Sequence, residues 1–138
     1  MRKRTLSREF ALQVLYQIDI TGDPFEAALA NFWQEHQEES IDAQIRDFAN
    51  ELVRGVFTNL SPIDNKISQF AENWQLERMA VVDRNIMRLS CFELIYKQDI
   101  PPKVSINEAV ELAKKYSGKE AGKFVNAILD KVKQELER

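Results

Sequence analysis

The sequence predicts an all-α chain, and three observations carry that prediction. Apolar residues recur at three- and four-residue spacing along nearly the whole length. Only four prolines and four glycines occur in 138 residues, and no proline interrupts a periodic segment. Short cap signals, Asp23-Pro24, Ser61-Pro62 and Ser105 with Glu108, stand just before apolar stripes.

Taken in order, Phe10, Ala11, Val14, Leu15 and Ile18 form a stripe from about Ser7 to Thr21, closed by Gly22. Its start is basic: Arg2, Lys3, Arg4 and Arg8 put four positive charges and no acid into the first eight residues. Cations there oppose the helix macrodipole by roughly 0.3–1 kcal/mol each, whereas an anion would meet free backbone amides and the cations together. A solvated basic tail is the competing reading.

Asp23-Pro24 reads as a cap and first helical residue, with Phe25, Ala28, Leu29 and Phe32 inward and Trp33 sealing the end. Gln34 to Ser40, acidic and polar, reads as a surface connector in which His36 is solvated. Ile41, Ile45, Phe48, Ala49, Leu52, Val53, Val56 and Phe57 give a third helix, the longest regular stripe. Ser61-Pro62 starts a fourth, carried to Asn73 by Ile63, Ile67, Phe70 and Ala71. From Leu76 to Gln98 the pattern is apolar nearly all round, which marks a central helix, and Asp83, Arg84, Arg88 and Glu93 within it are candidates for a polar network or partner surface.

The closing stretch is the most structured. Pro101-Pro102 holds the entry extended, Ser105 and Glu108 stand in capping-box register with Val104 and Ala109 as a hydrophobic staple, and Ser117-Gly118 ends the helix. Ala121, Val125, Ile128 and Val132, widened by Phe124, Leu129 and Leu136, then return as a second helix. The polar side of this hairpin carries Lys114, Lys115, Lys119 and Lys123, a basic rim around one connector.

Length and composition fit one globular domain over residues 1–138, with 44% hydrophobic and 30% charged residues and no apolar run near a membrane span. A basic opening followed by an amphipathic segment is not a secretory pattern, and the lone Cys91 reads as a reduced core residue, so a cytoplasmic protein is expected. The net charge of −3 hides an asymmetry: beyond the first eight residues, 15 basic residues face 22 acidic ones, a balance of −7.

The chain has no glycine-rich phosphate loop, His-Cys cluster, nucleophile elbow or paired histidines. No catalytic residue, metal ligand or cofactor is therefore expected. Two binding readings remain. In one, the basic N-terminus and the lysine rim track RNA phosphates while an aromatic such as Tyr16 or Phe124 contacts a base. In the other, the acidic remainder meets a basic protein partner.

Three blocks then carry a resemblance. They are Arg8-Glu9 through Ala11-Leu12-Gln13-Val14-Leu15-Tyr16; Asp83-Arg84-Asn85-Ile86-Met87-Arg88 with Phe92-Glu93-Leu94; and Ile106-Asn107-Glu108-Ala109-Val110-Glu111-Leu112-Ala113-Lys114 with Lys123-Phe124-Val125-Asn126-Ala127-Ile128-Leu129-Asp130. Together they resemble the bacterial transcription antitermination factor family NusB. The resemblance implies about seven helices in two three-helix bundles packed across each other. It implies an RNA-binding factor in transcription regulation that pairs with NusE, a small-subunit ribosomal protein, on the boxA element of ribosomal RNA leader transcripts, and reaches RNA polymerase and other Nus factors indirectly. By position, Arg2, Lys3, Arg4, Arg8, Glu120, Lys123 and Phe124 fall to the RNA surface, and Tyr16, Phe70 and Asp83 to the NusE-facing side.

Some positions depart from the family pattern. Leu6-Ser7-Arg8 stands where Ala-Arg is usual, which thins the arginine run; Ala127 stands where glycine is common; and Glu120 beside an RNA path repels phosphate and so restrains affinity. The alternative function is an RNA-binding accessory of an RNA-modifying enzyme or of ribosome assembly. An exposed helix face would serve NusE or a second copy of the chain equally, so a homodimer stays open.

Overall fold

A computed structural model describes residues 2–72 and 75–137, and among them the only regular structure is helical. The seven helices are α1 Lys3–Thr21, α2 Phe25–Glu35, α3 Ala43–Thr58, α4 Leu60–Phe70, α5 Val81–Tyr96, α6 Pro102–Tyr116 and α7 Lys119–Leu136, with one 3-10 turn at Leu76–Arg78 before α5. They fall into two compact units, one ending at Thr58 and one beginning at Asn59. Three helices make the first and four the second.

In the first unit α1 packs chiefly on α3 and also on α2. Ala11, Val14, Leu15 and Ile18 are buried as the spacing requires, and Gly22 closes α1 at φ +76°, a left-handed conformation that favours glycine. The helix begins at Lys3, however, a turn earlier than the apolar stripe, so Lys3 and Arg4 lie within its first turn. Ser7 is buried in this added turn, its hydroxyl donating 2.8 Å to the Ile45 carbonyl of α3 and lying 3.1 Å from the Lys3 carbonyl. The residue that thins the arginine run thus ties α1 to α3.

Residues Phe10, Phe32, Trp33 and His36 make an aromatic cluster, with Phe32–Trp33 edge-to-face at 4.9 Å and His36 stacked on Phe32 at 4.0 Å. His36 Nδ1 lies 2.7 Å from the Phe32 carbonyl, so the expected solvated histidine is half-buried and packed. Trp33 does seal α2, donating from Nε1 to Asn50 Oδ1 at 2.7 Å. Pro24, not Asp23, flanks the start of α2. A true capping carboxylate stands elsewhere: Asp42 Oδ1 accepts the Gln44 amide at 2.7 Å at the start of α3.

In the second unit α5 contacts α4, α6 and α7, the central position that its all-round apolarity predicts. The expected continuous helix from Leu76 is broken, because Met79 and Ala80 are extended between the 3-10 turn and α5. Asn59 flanks α4, placing Ser61-Pro62 inside its first turn, where proline's missing amide has no intrahelical partner to lose. α4 ends at Phe70, and the expected end at Asn73 lies outside the described residues.

The capping box is the clearest correction. α6 starts at Pro102, whose fixed φ suits a first helical position, so Ser105 falls a turn inside and its amide already bonds the Pro101 carbonyl at 3.2 Å. Its hydroxyl is instead buried and pairs with Ser90 Oγ of α5 at 2.9 Å. Val104 is exposed, so no staple forms, and Leu136 likewise lies outside the buried stripe of α7. The Ser117-Gly118 break is found where expected, with Gly118 at φ +113° between α6 and α7.

Arg88 forms the polar centre of this unit. Its Nε and Nη2 donate to Asp64 Oδ1 and Oδ2 at 2.8 and 3.0 Å, and Nη1 donates to Asn85 Oδ1 at 3.1 Å. Asn85 in turn donates to the Val81 carbonyl at 2.9 Å. The acid is on α4, so the pair joins two helices, and Arg88 takes part in a polar network of the kind its place in the sequence allows. Lys66 of α4 likewise pairs with Glu135 of α7.

The packing sets three expected outcomes. Asp64→Ala leaves the Arg88 guanidinium, only 12% exposed, without its carboxylate, and should lower unfolding free energy by about 2–4 kcal/mol in urea titrations. Cys91 is fully buried, and burial, reinforced by the Asp64 charge, pushes its thiol up to about 12. At pH 8 labelling by a thiol reagent should run no faster than unfolding. Because the unfolded thiol ionises first, stability should fall as pH rises above the ordinary cysteine range.

Candidate nucleic-acid interface

Two of the exposed cations at the start of α1 are held from below. Arg2, Lys3 and Arg4 are exposed at the start of α1, Arg2 flanking the helix and the other two in its first turn. Lys3 Nζ lies 3.0 Å from both Asp42 Oδ2 and Gln44 Oε1. The Arg4 guanidinium sits over the Phe48 ring at 4.4 Å, a cation–π contact that fixes the side chain while leaving the charge accessible. Arg8 differs: it is 4% exposed, with its guanidinium 5.6 Å from the same ring. Of the four N-terminal cations, three are surface groups and Arg8 is a packed one.

The lysine rim of the second unit is exposed throughout, at Lys114 and Lys115 on α6 and Lys119 and Lys123 on α7. Lys114 pairs with Glu111 and Lys123 with Glu120, both at 3.5 Å, and Lys115 lies 5.3 Å from the Tyr116 ring. Such solvated pairs exchange readily for a phosphate oxygen.

Beside the rim, a cleft of about 360 Å³ opens where α5 and α7 begin. Met79, Ala80 and Ala121 give it apolar walls, Phe124 an aromatic one, and Arg78, Asp83 and Glu120 its charges. Three of the residues expected at binding surfaces, Asp83, Glu120 and Phe124, are therefore brought together. Arg78 and Met79 escape a sequence reading because their segment looks helical. Tyr16 is 44% exposed on α1, with Ile20, one turn on, still more open at 61%. Phe70, half-buried, ends α4. Among the described residues no group of three or more His, Cys, Asp or Glu side chains could hold a metal ion, and no helix is long and apolar enough to cross a membrane.

Cations on fixed helix ends and an aromatic-lined cleft define a helical module of the polyanion-binding class. The comparisons with known proteins narrow that class. The NusB family model matches residues 5–134, and the chain belongs to the NusB family. The transcription antitermination protein NusB of Anaeromyxobacter dehalogenans strain 2CP-1 is 48% identical over 130 residues, covering 94% of this chain and 89% of that protein. That of Thermodesulfovibrio yellowstonii is 40% identical over 141 residues, covering 96% and 93%. Among solved structures, T. maritima NusB superposes with a TM-score of 0.86 at 38% identity, covering 98% of this chain and 92% of that one. A chain from the crystal structure of antitermination factors NusB and NusE in complex with dsRNA gives 0.87 at 29% identity, covering 98% of each.

The Asp42 carboxyl is held below its ordinary range, first by the hydrogen bond from Lys3 and then by the Gln44 amide. A lowered folded value means that the Lys3–Asp42 tether is present at neutral pH and lost as pH falls below the usual aspartate range. An NMR titration of the Asp42 carboxyl carbon should therefore show a midpoint below that of a free aspartate, moving back up in Lys3→Met.

Proposed function

We propose that this chain is a transcription antitermination factor that acts by binding rather than catalysis, engaging the boxA element of nascent ribosomal RNA leaders together with NusE. The observation that carries the reading is the trio Arg2, Lys3 and Arg4, exposed at the opening of α1, with Lys3 held there by Asp42 and Gln44 and Arg4 by Phe48. Phosphate oxygens placed there meet the cations and the positive end of the helix at once. The names of its relatives, and the solved complex of NusB and NusE with dsRNA, support both partners.

Arg2, Lys3 and Arg4, with Lys123, supply phosphate contacts, and Glu120 and Phe124 lie where a base is read. Arg8 contributes by packing against Phe48, which keeps the basic edge in place. Tyr16, Phe70 and Asp83 serve the NusE side. Residues 1–138 work as one RNA-binding domain in the cytoplasm, and contact with RNA polymerase and other Nus factors is indirect.

The test is a salt-titrated binding measurement on single-stranded boxA RNA, with and without purified NusE. Replacing Arg2, Lys3 and Arg4 by alanine should weaken binding and reduce the slope of log affinity against log salt by up to about 2, at roughly 0.7 per lost phosphate contact. Failure to form a ternary species with NusE, or a slope untouched by the triple variant, would refute the reading.

A further inference from the structure

Gly122 stands inside α7, buried and in helical backbone, where alanine is the better helix former. A glycine between two packed helices ordinarily lets their backbones approach, and α6 packs on α7. That is not what the missing side chain makes room for here. A methyl group built at Gly122 has only side-chain atoms as its nearest neighbours, Lys114 Cγ at 3.0 Å and Lys114 Cε and Val110 Cγ1 each at 3.6 Å. Carbon atoms pack best at about 3.5–4.0 Å, so Val110 would accept the methyl. The lysine stem is what the glycine accommodates.

Lys114 belongs to the last turn of α6, yet its stem is laid across α7 with Cε, the carbon that bears the ammonium, beside Gly122. The side chain is 50% exposed, the pattern of a lysine that buries its stem and keeps its charge in water. Its ion pair with Glu111, at 3.5 Å, is a solvated one that a phosphate oxygen can replace. The charge is thus carried from α6 to the helix that holds Lys119 and Lys123, both exposed.

Such a seat acts on binding through entropy. A lysine on open surface spreads over many rotamers, and fixing it on an anion costs affinity. A lysine already held by its stem has lost most of that freedom before the anion arrives.

We propose that Gly122 is a positioning residue for RNA binding: it leaves a seat for the Lys114 stem, and so makes the Lys114 ammonium a pre-set phosphate contact. The inference rests on RNA binding by this chain, and adds to it one phosphate contact and the residue that sets it.

The test is a salt-titrated measurement on single-stranded boxA RNA, with NusE present, using the unaltered full-length chain, Gly122→Ala, Lys114→Met and the double variant. Methionine keeps an unbranched apolar stem and removes the charge. K114M should make the slope of log affinity against log salt shallower by about 0.7, the value of one phosphate contact on a single strand. G122A keeps every charge but should weaken binding about five-fold, the scale of one long side chain left to be ordered on binding. Its thermal midpoint should hold or rise, because alanine favours the helix. In the K114M background the same glycine change should cost no further affinity, the non-additivity expected of two residues that act as one. Binding by G122A as tight as that of the unaltered chain, a loss undiminished in the K114M background, or an unchanged slope in K114M would overturn the proposal while leaving the antitermination reading in place. A thermal midpoint lowered by several degrees in G122A would assign the glycine to helix packing and overturn it too. Absence of RNA binding by the unaltered chain at low salt would overturn both.

Discussion

The constraint on which this molecule turns is the placement of cations at the wrong end of a helix. Arg2 flanks α1 and Lys3 and Arg4 occupy its first turn, where no acid offsets the macrodipole. Each costs the isolated helix roughly 0.3–1 kcal/mol, so together they oppose it by about 1–3 kcal/mol. Against that, α1 buries Val14, Leu15 and Ile18 almost completely, each contributing about 1.5–3 kcal/mol. Packing wins by a clear margin. The helix can therefore carry a basic opening that its own backbone disfavours, and the unfavourable interaction is available to be relieved by an anion. Asp42 provides partial relief within the protein, through a solvent-exposed contact that a phosphate can replace.

The second unit solves a different problem, that of holding four helices in one register with polar groups inside. Arg88 spends both faces of its guanidinium on neighbours, the two Asp64 oxygens on α4 and Asn85 on its own helix. Ser90 and Ser105 satisfy each other between α5 and α6. Hydrophobic burial would tolerate small slips of one helix against another; these directional contacts would not, because a slip strands a buried donor or acceptor.

The apolar stripes of α1, α3, α5 and α7 were legible because a 3.6-residue period survives any tertiary arrangement, and so were Gly22 and Ser117-Gly118, whose backbone conformations few other residues tolerate. The start of α6 was misread because two rules compete there. Ser105 with Glu108 matches a capping box, but Pro102 is equally good as a first helical residue, and only the burial of Ser105 against Ser90 decides between them. The break at Met79 and Ala80 carries no glycine or proline and so leaves no local trace. Arg8 looked like its exposed neighbours, since charge is a guide to surface position and Phe48, forty residues away, is what draws it in. The cleft could not be read at all: Asp83 and Glu120 come to line one space through the packing of α5 on α7, which neither helix encodes alone.

Charge and recognition are thereby divided between kinds of residue. Exposed cations attract any polyanion, so their contribution is strong, salt-sensitive and indifferent to sequence. Outside the first eight residues the chain carries a balance of −7, which weakens this indiscriminate attraction wherever no specific contact compensates for it. Carboxylates work in the opposite sense: they penalise any polyanion by repulsion and reward only a partner that brings hydrogen-bond donors to them. An acidic body under a modest basic edge therefore favours a partner that makes specific contacts over one held by charge alone.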